Sequence, residues 1–289
     1  MSAPSRAILG GVLALAVVAG GGLLLVDRQP PGGEAVRTPP APKARDLVAR
    51  EKLYAELQPV RLANCTLQRF GEPHDGGYLM CGNLLGGIQA GYSYGISGYD
   101  GWGCDVSRGF GVRVHQYDCF NLTEPLCPGG DTVFHPECIA GAASVDPDGR
   151  AFETLESQLS RNGDAGRNIV LKMDVEGAEW ESLLAAPDDL LQRVDQLAIE
   201  FHGVDARTGT FLELIGRLKD IFHIVHLHFN NYSCVEGVEP FPAWAYEVLF
   251  VNKRLGQLAE DQSEVRRPHP LDAPNNPAAP DCQYARSSR

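Results

Sequence analysis

The sequence predicts an α/β domain built on a mainly parallel sheet with helices on both faces. Three observations lead there. Short apolar runs alternate with helical stretches between residues 90 and 253, the rhythm of strand–helix–strand units. No tandem repeat interrupts that alternation, so a solenoid or propeller is excluded. A chain of 289 residues, 44% hydrophobic and 21% charged, has the composition of an ordinary globular protein and the length of one sizeable core with appendages.

The elements follow in order. Residues 7–26, AILGGVLALAVVAGGGLLLV, carry no charge. As a helix rising about 1.5 Å per residue, such a run reaches across a bilayer core. Residues 1–26 are therefore expected to be a membrane anchor rather than a cleaved signal peptide, because the apolar run is long and no A-x-A site follows promptly. Arg6 and the amino terminus precede the run, whereas Asp27 and Arg28 nearly cancel behind it, which places the rest of the chain on the far side of the membrane. Residues 27–45, rich in proline and glycine, read as a stalk, and 46–58 as a helix with Leu47, Val48, Leu53, Tyr54 and Leu57 near one face.

Strand-like runs are then expected at 90–97, 112–118, 132–141, 168–177, 194–203, 221–229 and 245–253. Helical stretches at 152–162, 178–186 and 210–220 lie between them. The main domain spans 46–255. Residues 256–289, polar and proline-rich, read as a loose tail with Cys282 as its only staple.

A net charge of −12 argues against a partner with a phosphate backbone. Eight cysteines without a CxxC pair do not make a zinc ribbon. Behind a membrane segment they point to disulfides formed in an oxidising compartment, with the pairing left open. Sequons at Asn64, Asn121 and Asn231 lean the same way, towards a secretory route.

Ligands of open parallel sheets bind beyond the C-terminal strand ends, where the strand order reverses. The residues that close each apolar run are therefore the candidates. The first run ends in GISGYDGWG, whose Gly95 allows a tight turn and a close backbone approach. Its spacing is not the dinucleotide G-x-G-x-x-G. The second run ends in Asp118, an acid about 20 positions past a glycine loop and suited to a ribose diol. The fourth supplies LKMDVEGAEW, where alternation would put Lys172, Asp174 and Glu176 on one side of the strand. Charges there are paired or functional, and Lys172 bound to a carboxylate would be the structural version. The fifth ends in Glu200, Phe201 and His202, an imidazole able to take a proton near neutral pH. His226 and His228 lack metal-ligand spacing, so no metal is assigned.

LKMDVEGAEW resembles the K-x-D-x-E-G-x-E signature of FkbM-like methyltransferases, a branch of the class I S-adenosylmethionine-dependent enzymes. DGGYLMC (Asp75–Cys81), YSYGIS (Tyr92–Ser97) and IEFH (Ile199–His202) are similar to strings of animal methyltransferase-like membrane proteins. The matches run in order from about residue 60 to 253. The resemblance implies a Rossmann-like class I fold with a seven-stranded sheet, and S-adenosylmethionine as cofactor. It implies that Gly95, Ile96, Ser97 and Asp100 hold the methionine end and Asp118 the ribose. Asp105 would correspond to a further acidic position at a helix opening. Asp174 and Glu176 would face the methyl group and the acceptor, with Asp174 or His202 as base. The acceptor would be a hydroxyl on a sugar or other small molecule. The anchor charges, cysteines and sequons place the domain in the lumen of an endomembrane in a eukaryotic host, whereas in a bacterium it is expected to face the cytosol with reduced thiols. The extra glycines 98, 101 and 103 and the cysteine-rich segment 119–138 depart from the family.

Two rivals remain. A catalytically silent, membrane-tethered binding module would keep the fold without needing the charged cluster. A type II glycosyltransferase would share the layout, but the sequence is read as having no D-x-D string to hold a nucleotide-sugar metal.

Overall fold

The computed structural model describes residues 44–204, 208–263, 265 and 267–283. All of them belong to one compact unit, Ala41–Arg289. The expected anchor over 1–26 and nearly all of the stalk over 27–45 lie outside the described residues. Among those described, no helix is long and apolar enough to cross a membrane.

Helix α1 (Ala44–Glu56) leads into an antiparallel hairpin of β1 (Leu67–Gly71) and β2 (Gly77–Cys81). Then come β3 (Ala90–Tyr94), α2 (Gly101–Phe110), β4 (Arg113–Tyr117) and β5 (Asp131–His135). A small sheet of β6 (Cys138–Ile139), β7 (Ser144–Val145) and β8 (Ala151–Glu153) precedes α3 (Leu155–Asn162) and β9 (Ile169–Met173). Helices α4 (Glu179–Ala185) and α5 (Asp188–Leu191) lead to β10 (Val194–His202), and α6 (Thr208–Ile221) to β11 (Phe222–Phe229) and β12 (Ala245–Asn252).

Seven strands form the main sheet in the order β11-β12-β10-β9-β3-β4-β5. The ladders from β10 through β9, β3 and β4 to β5 are parallel, and β12 runs antiparallel to both of its neighbours. The chain steps outward from β3 to β5 and then returns to lay β9 on the other side of β3. That return is the order reversal that sets the site. Every residue of β9 and β10 is buried, as strands covered on both faces must be.

One face carries α1, α3, α4 and α6 over a core that includes Tyr92, Leu171, Trp180, Ile199, Leu214 and Phe250. Trp180 is fully buried, stacked between Phe201 and Phe211; truncating such a side chain costs roughly 3–5 kcal/mol. The other face differs from the expectation of helices on both sides. It is covered by α2 together with the β1–β2 hairpin, around Phe70, Met80, Trp102, Val106 and Val170. The buried Gln196 of β10 docks the hairpin, accepting from the Cys81 N–H at 2.9 Å and donating to its carbonyl at 2.8 Å. Helix α2 opens at Gly101 under Asp100, whose carboxylate accepts from Gly103 N. Asp105 lies inside this helix rather than at its opening, and accepts from Gly71 N of the hairpin at 2.8 Å.

All eight cysteines pair, as Cys65–Cys81, Cys104–Cys127, Cys119–Cys138 and Cys234–Cys282. Loops of 16 to 48 residues closed in this way stabilise by about 3–4 kcal/mol each on the chain-entropy argument. The last of them is the expected staple through Cys282. The rest of the tail is held more firmly than its composition predicts. Asn231 donates from Nδ2 to the carbonyls of Asn276, Ala279 and Pro280, and His226 meets Asp272 at 2.7 Å. Polar anchoring has replaced the apolar burial that a proline-rich segment lacks. The other sequon amides are engaged too: Asn64 Nδ2 donates to Leu255 O and Asn121 Nδ2 to Ser97 O.

Candidate active site

A cleft of about 450 Å³ opens at the order reversal, at the C-terminal ends of β3, β4 and β9. Its β3–β4 flank is mostly main chain. Gly95 turns with φ +72°, and a Cβ there would lie 1.6 Å from the Asp174 carbonyl oxygen, so only glycine lets the two turns meet. Ser97 follows with φ +47°, an uncommon conformation for a residue with a side chain. Asp118 braces it, accepting from Ser97 N at 2.7 Å through Oδ2 and from the N–H groups of Phe120 and Asn121 through Oδ1. Beyond Asp118 the wall is apolar, with the exposed ring of Phe120 beside Ile139 and Phe152.

The β9–β10 flank is built from side chains. Lys172 is buried and donates to the carbonyls of Tyr94 and Gly95 at 3.2 and 2.9 Å, with Asp174 Oδ2 at 3.6 Å. It therefore supports the glycine turn as well as forming the anticipated ion pair. The strand ends at Met173, so the alternation does not continue to Glu176, which adopts φ +53° with its side chain 80% exposed at the cleft mouth. Asp174 lines the cleft, and Tyr78 of the hairpin donates to its Oδ2 at 3.1 Å.

Behind Asp174 lies a buried polar layer. The cross-strand partners Glu200 and Glu247, then Glu247 and His228, continue it across β10, β12 and β11. Asn275 of the C-terminal segment donates to Glu247 at 2.8 Å and to Asp75 of the hairpin turn at 3.1 Å. His202 meets Glu179 through Nδ1 at 3.3 Å and Glu200 through Nε2 at 3.5 Å. Burial alone would lower the His202 pKa; the carboxylates of Glu179 and Glu200 outweigh it and raise it to about 10. Burial, then the Asp174 charge, lifts Glu200 to about 8 against the lowering effect of His202. His228 is likewise raised to about 10 by Asp281 and Glu247 in spite of burial. Of the β11 histidines, His226 is thus engaged by Asp272 and His228 by Glu247 and Asp281.

Gly95, Ile96, Ser97, Asp100, Asp118, Asp174 and Glu176 all line the same cleft. The Asp100 carboxylate is engaged by the helix it caps and by Gln116 Nε2 at 2.9 Å, and burial raises its pKa. His202 stands behind Asp174, its Nε2 3.8 Å from Oδ1. Sequence reasoning missed Asp75, Tyr78 and Asn275. The DGGY string was the signal for the first two; no sequence pattern marked Asn275. A D-x-D string is present at Asp146–Pro147–Asp148, and both of its carboxylates pair with Arg150.

The donor set fits a nucleoside-type cofactor. A carboxylate has about four acceptor positions, and three N–H groups on Asp118 leave room for a hydroxyl. The buried Tyr94 hydroxyl, of a residue that lines the cleft, has no hydrogen-bond partner among the described residues.

No family model matches this chain, and no curated protein matches it either. Among solved structures it is similar to the crystal structure of an rRNA methylase from Streptococcus thermophilus. The two are 13% identical over 59% of this chain and 91% of that one, with a TM-score of 0.35.

Proposed function

We propose that this chain is an S-adenosylmethionine-dependent methyltransferase acting on a hydroxyl of a sugar or other small molecule. One observation carries the reading: the glycine turn after β3, Asp118 and Asp174 meet in a single cleft at the order reversal of the sheet. Gly95, Ile96 and Ser97 would hold the amino-acid end of the cofactor and Asp118 its ribose. Phe120, Ile139 and Phe152 would give the base an apolar surface. When bound, the cofactor supplies a methyl group on a cationic sulfur, already activated for in-line displacement. The carboxylates of Asp174 and Glu176 favour a cation in that place.

The protein's own work is to orient the acceptor oxygen and take its proton. Asp174 suits the second task. Tyr78 and Lys172 hold its Oδ2, and among the described residues no group hydrogen-bonds Oδ1. His202 is a positioning residue in this scheme, because it stands behind the cleft wall. Glu176 at the mouth would orient the acceptor, and the half-exposed ring of Tyr99 would pack against it. The four disulfides support an oxidising compartment. With an anchor over 1–26, the domain would be luminal in an endomembrane that imports the methyl donor.

Calorimetric titration of the full chain with S-adenosylmethionine and its demethylated product tests the reading. Micromolar binding that Asp118→Ala abolishes is expected, together with an Asp174→Asn variant that binds but does not transfer. A folded chain that binds neither compound would instead be a silent binding module.

A further inference from the structure

We propose that Asp174, Glu200 and His202 form a divalent-cation site in the wall of the cleft. One ligand atom from each side chain lies within 4.8 Å of those of the other two. His202 Nε2 is 3.5 Å from Glu200 Oε1 and 3.8 Å from Asp174 Oδ1. Separations of this size are too long for well-made hydrogen bonds. They are close to those of ligands that share an ion: at about 2.1 Å from one metal, neighbouring ligand atoms lie roughly 3.0–3.5 Å apart. Binding would draw His202 towards both carboxylates by a few tenths of an ångström, and would also bring together the two carboxylate oxygens, which lie within 4.8 Å of each other.

Each ligand is also held from behind. The fully buried Glu179 takes the Nδ1 side of His202, and its second carboxylate oxygen is fixed by Gly177 N at 2.8 Å. Asn230 Nδ2 donates to Glu200 Oε1 at 2.8 Å, and the Tyr78 hydroxyl to Asp174 Oδ2. Metal ligands are oriented by outer groups of this kind, and a histidine ligand most regularly by a carboxylate on its other nitrogen.

A second observation points to the ligand. His202 is 6% exposed and its Nε2 faces three carboxylates, with Glu176 at 3.6 Å, none of them at normal hydrogen-bond distance. Once an ion displaces the protons that the metal-free cluster holds on His202 and Glu200, two carboxylates and one imidazole form an oxygen-rich set suited to Mn²⁺, Mg²⁺, Fe²⁺ or Zn²⁺. Asp174 alone of the three lines the cleft. If the methyltransferase reading holds, the ion stands where it would acidify an acceptor hydroxyl. The cation site itself does not depend on that reading.

The test is a Mn²⁺ titration of the chelator-stripped full chain without cofactor, with free ion followed by electron paramagnetic resonance and the fold by circular dichroism. One site is expected, weakened about 100-fold by Glu200→Gln and by His202→Gln. Glu247→Gln, which removes a charge from the same polar layer outside the proposed set, should leave the affinity within about threefold. If the buried variants fail to fold, Asp174→Asn at the partly exposed cleft edge carries the test. A folded wild-type chain that takes up none of the four ions at millimolar concentration overturns the proposal. So does a Mn²⁺ site unchanged by Asp174→Asn. Because no cofactor is present, a missing ion site leaves the methyltransferase reading standing, and a failure to bind S-adenosylmethionine leaves the ion site standing.

Discussion

The two flanks of the cleft are made from different materials. On the β3–β4 side the working groups are main chain: a left-handed glycine turn, N–H groups braced by Asp118, and little charge. On the β9–β10 side they are side chains arriving from distant parts of the sequence. Tyr78 reaches Asp174 across 96 positions, and Asn275 reaches Asp75 across 200. The first flank is therefore fixed by local backbone conformation. The second exists only when the hairpin and the C-terminal segment have docked. Away from the contact of Gly95 with Asp174 and Lys172, substitutions in one flank should leave the other nearly untouched.

The largest expected effect comes from Gly95→Ala. Its Cβ would collide with the Asp174 carbonyl at a positive φ, so a loss of more than about 4–5 kcal/mol is expected in urea melts. Binding of S-adenosylmethionine should fall below detection by calorimetry. An alanine variant with wild-type affinity would show that the turn does not shape the cofactor flank. Next is Cys282→Ser, which opens the 48-residue loop to Cys234 and should cost about 4 kcal/mol in denaturant melts. Cofactor affinity should nevertheless stay within about threefold, because the staple serves the other flank. An equal loss of affinity would erase the distinction.

This division also explains what could be read from the sequence. The runs at 90–97, 112–118, 168–177, 194–203, 221–229 and 245–253 each contain a strand of the main sheet, because buried parallel strands announce themselves by apolar content. Gly95, Asp118 and Asp174 were legible because strand ends in such sheets have a known place. The hairpin was not. Its strands are short, and β1 carries polar Gln68 and Arg69 between Leu67 and Phe70, so neither period stands out. Helix α2 gave no pattern of its own, because the three glycines at 101, 103 and 109 lower helix propensity; only the resemblance placed a helix opening there, at Asp105. Asn275 gave no signal, since a single amide in a proline-rich stretch reads as loop until its partners are in view.

Smaller effects sharpen the comparison. Tyr78→Phe removes one hydrogen bond from Asp174 and should lower stability by about 1 kcal/mol. It should lower the transfer rate more than the cofactor affinity, a split that a shift in affinity alone would contradict. The smallest effect concerns β4. Burial, and after it the charge of the adjacent His135, hold His115 at about 4, below its unfolded value near 6.5. It is neutral in the fold, with His135 Nε2 at 3.0 Å from its Nδ1. Between those two values the unfolded chain binds more protons, so this contribution is complete above pH 6.5 and is lost as the pH falls towards 4. His115→Phe should flatten that part of a plot of melting temperature against pH, and an unchanged slope would clear His115 of the effect.

Asn275 ties the hairpin turn to β12 with a single side chain. It is translated after every strand of the sheet, so a ribosome delivers the β3–β4 flank well before the opposite flank can close. A nascent chain passes through a stage in which the sheet is complete and the polar layer still lies open to water. Joining Cys234 to Cys282, with a disulfide of the oxidising compartment exchanging with the two thiols and taking their electrons, then ends that stage and locks the C-terminal segment against the end of the sheet.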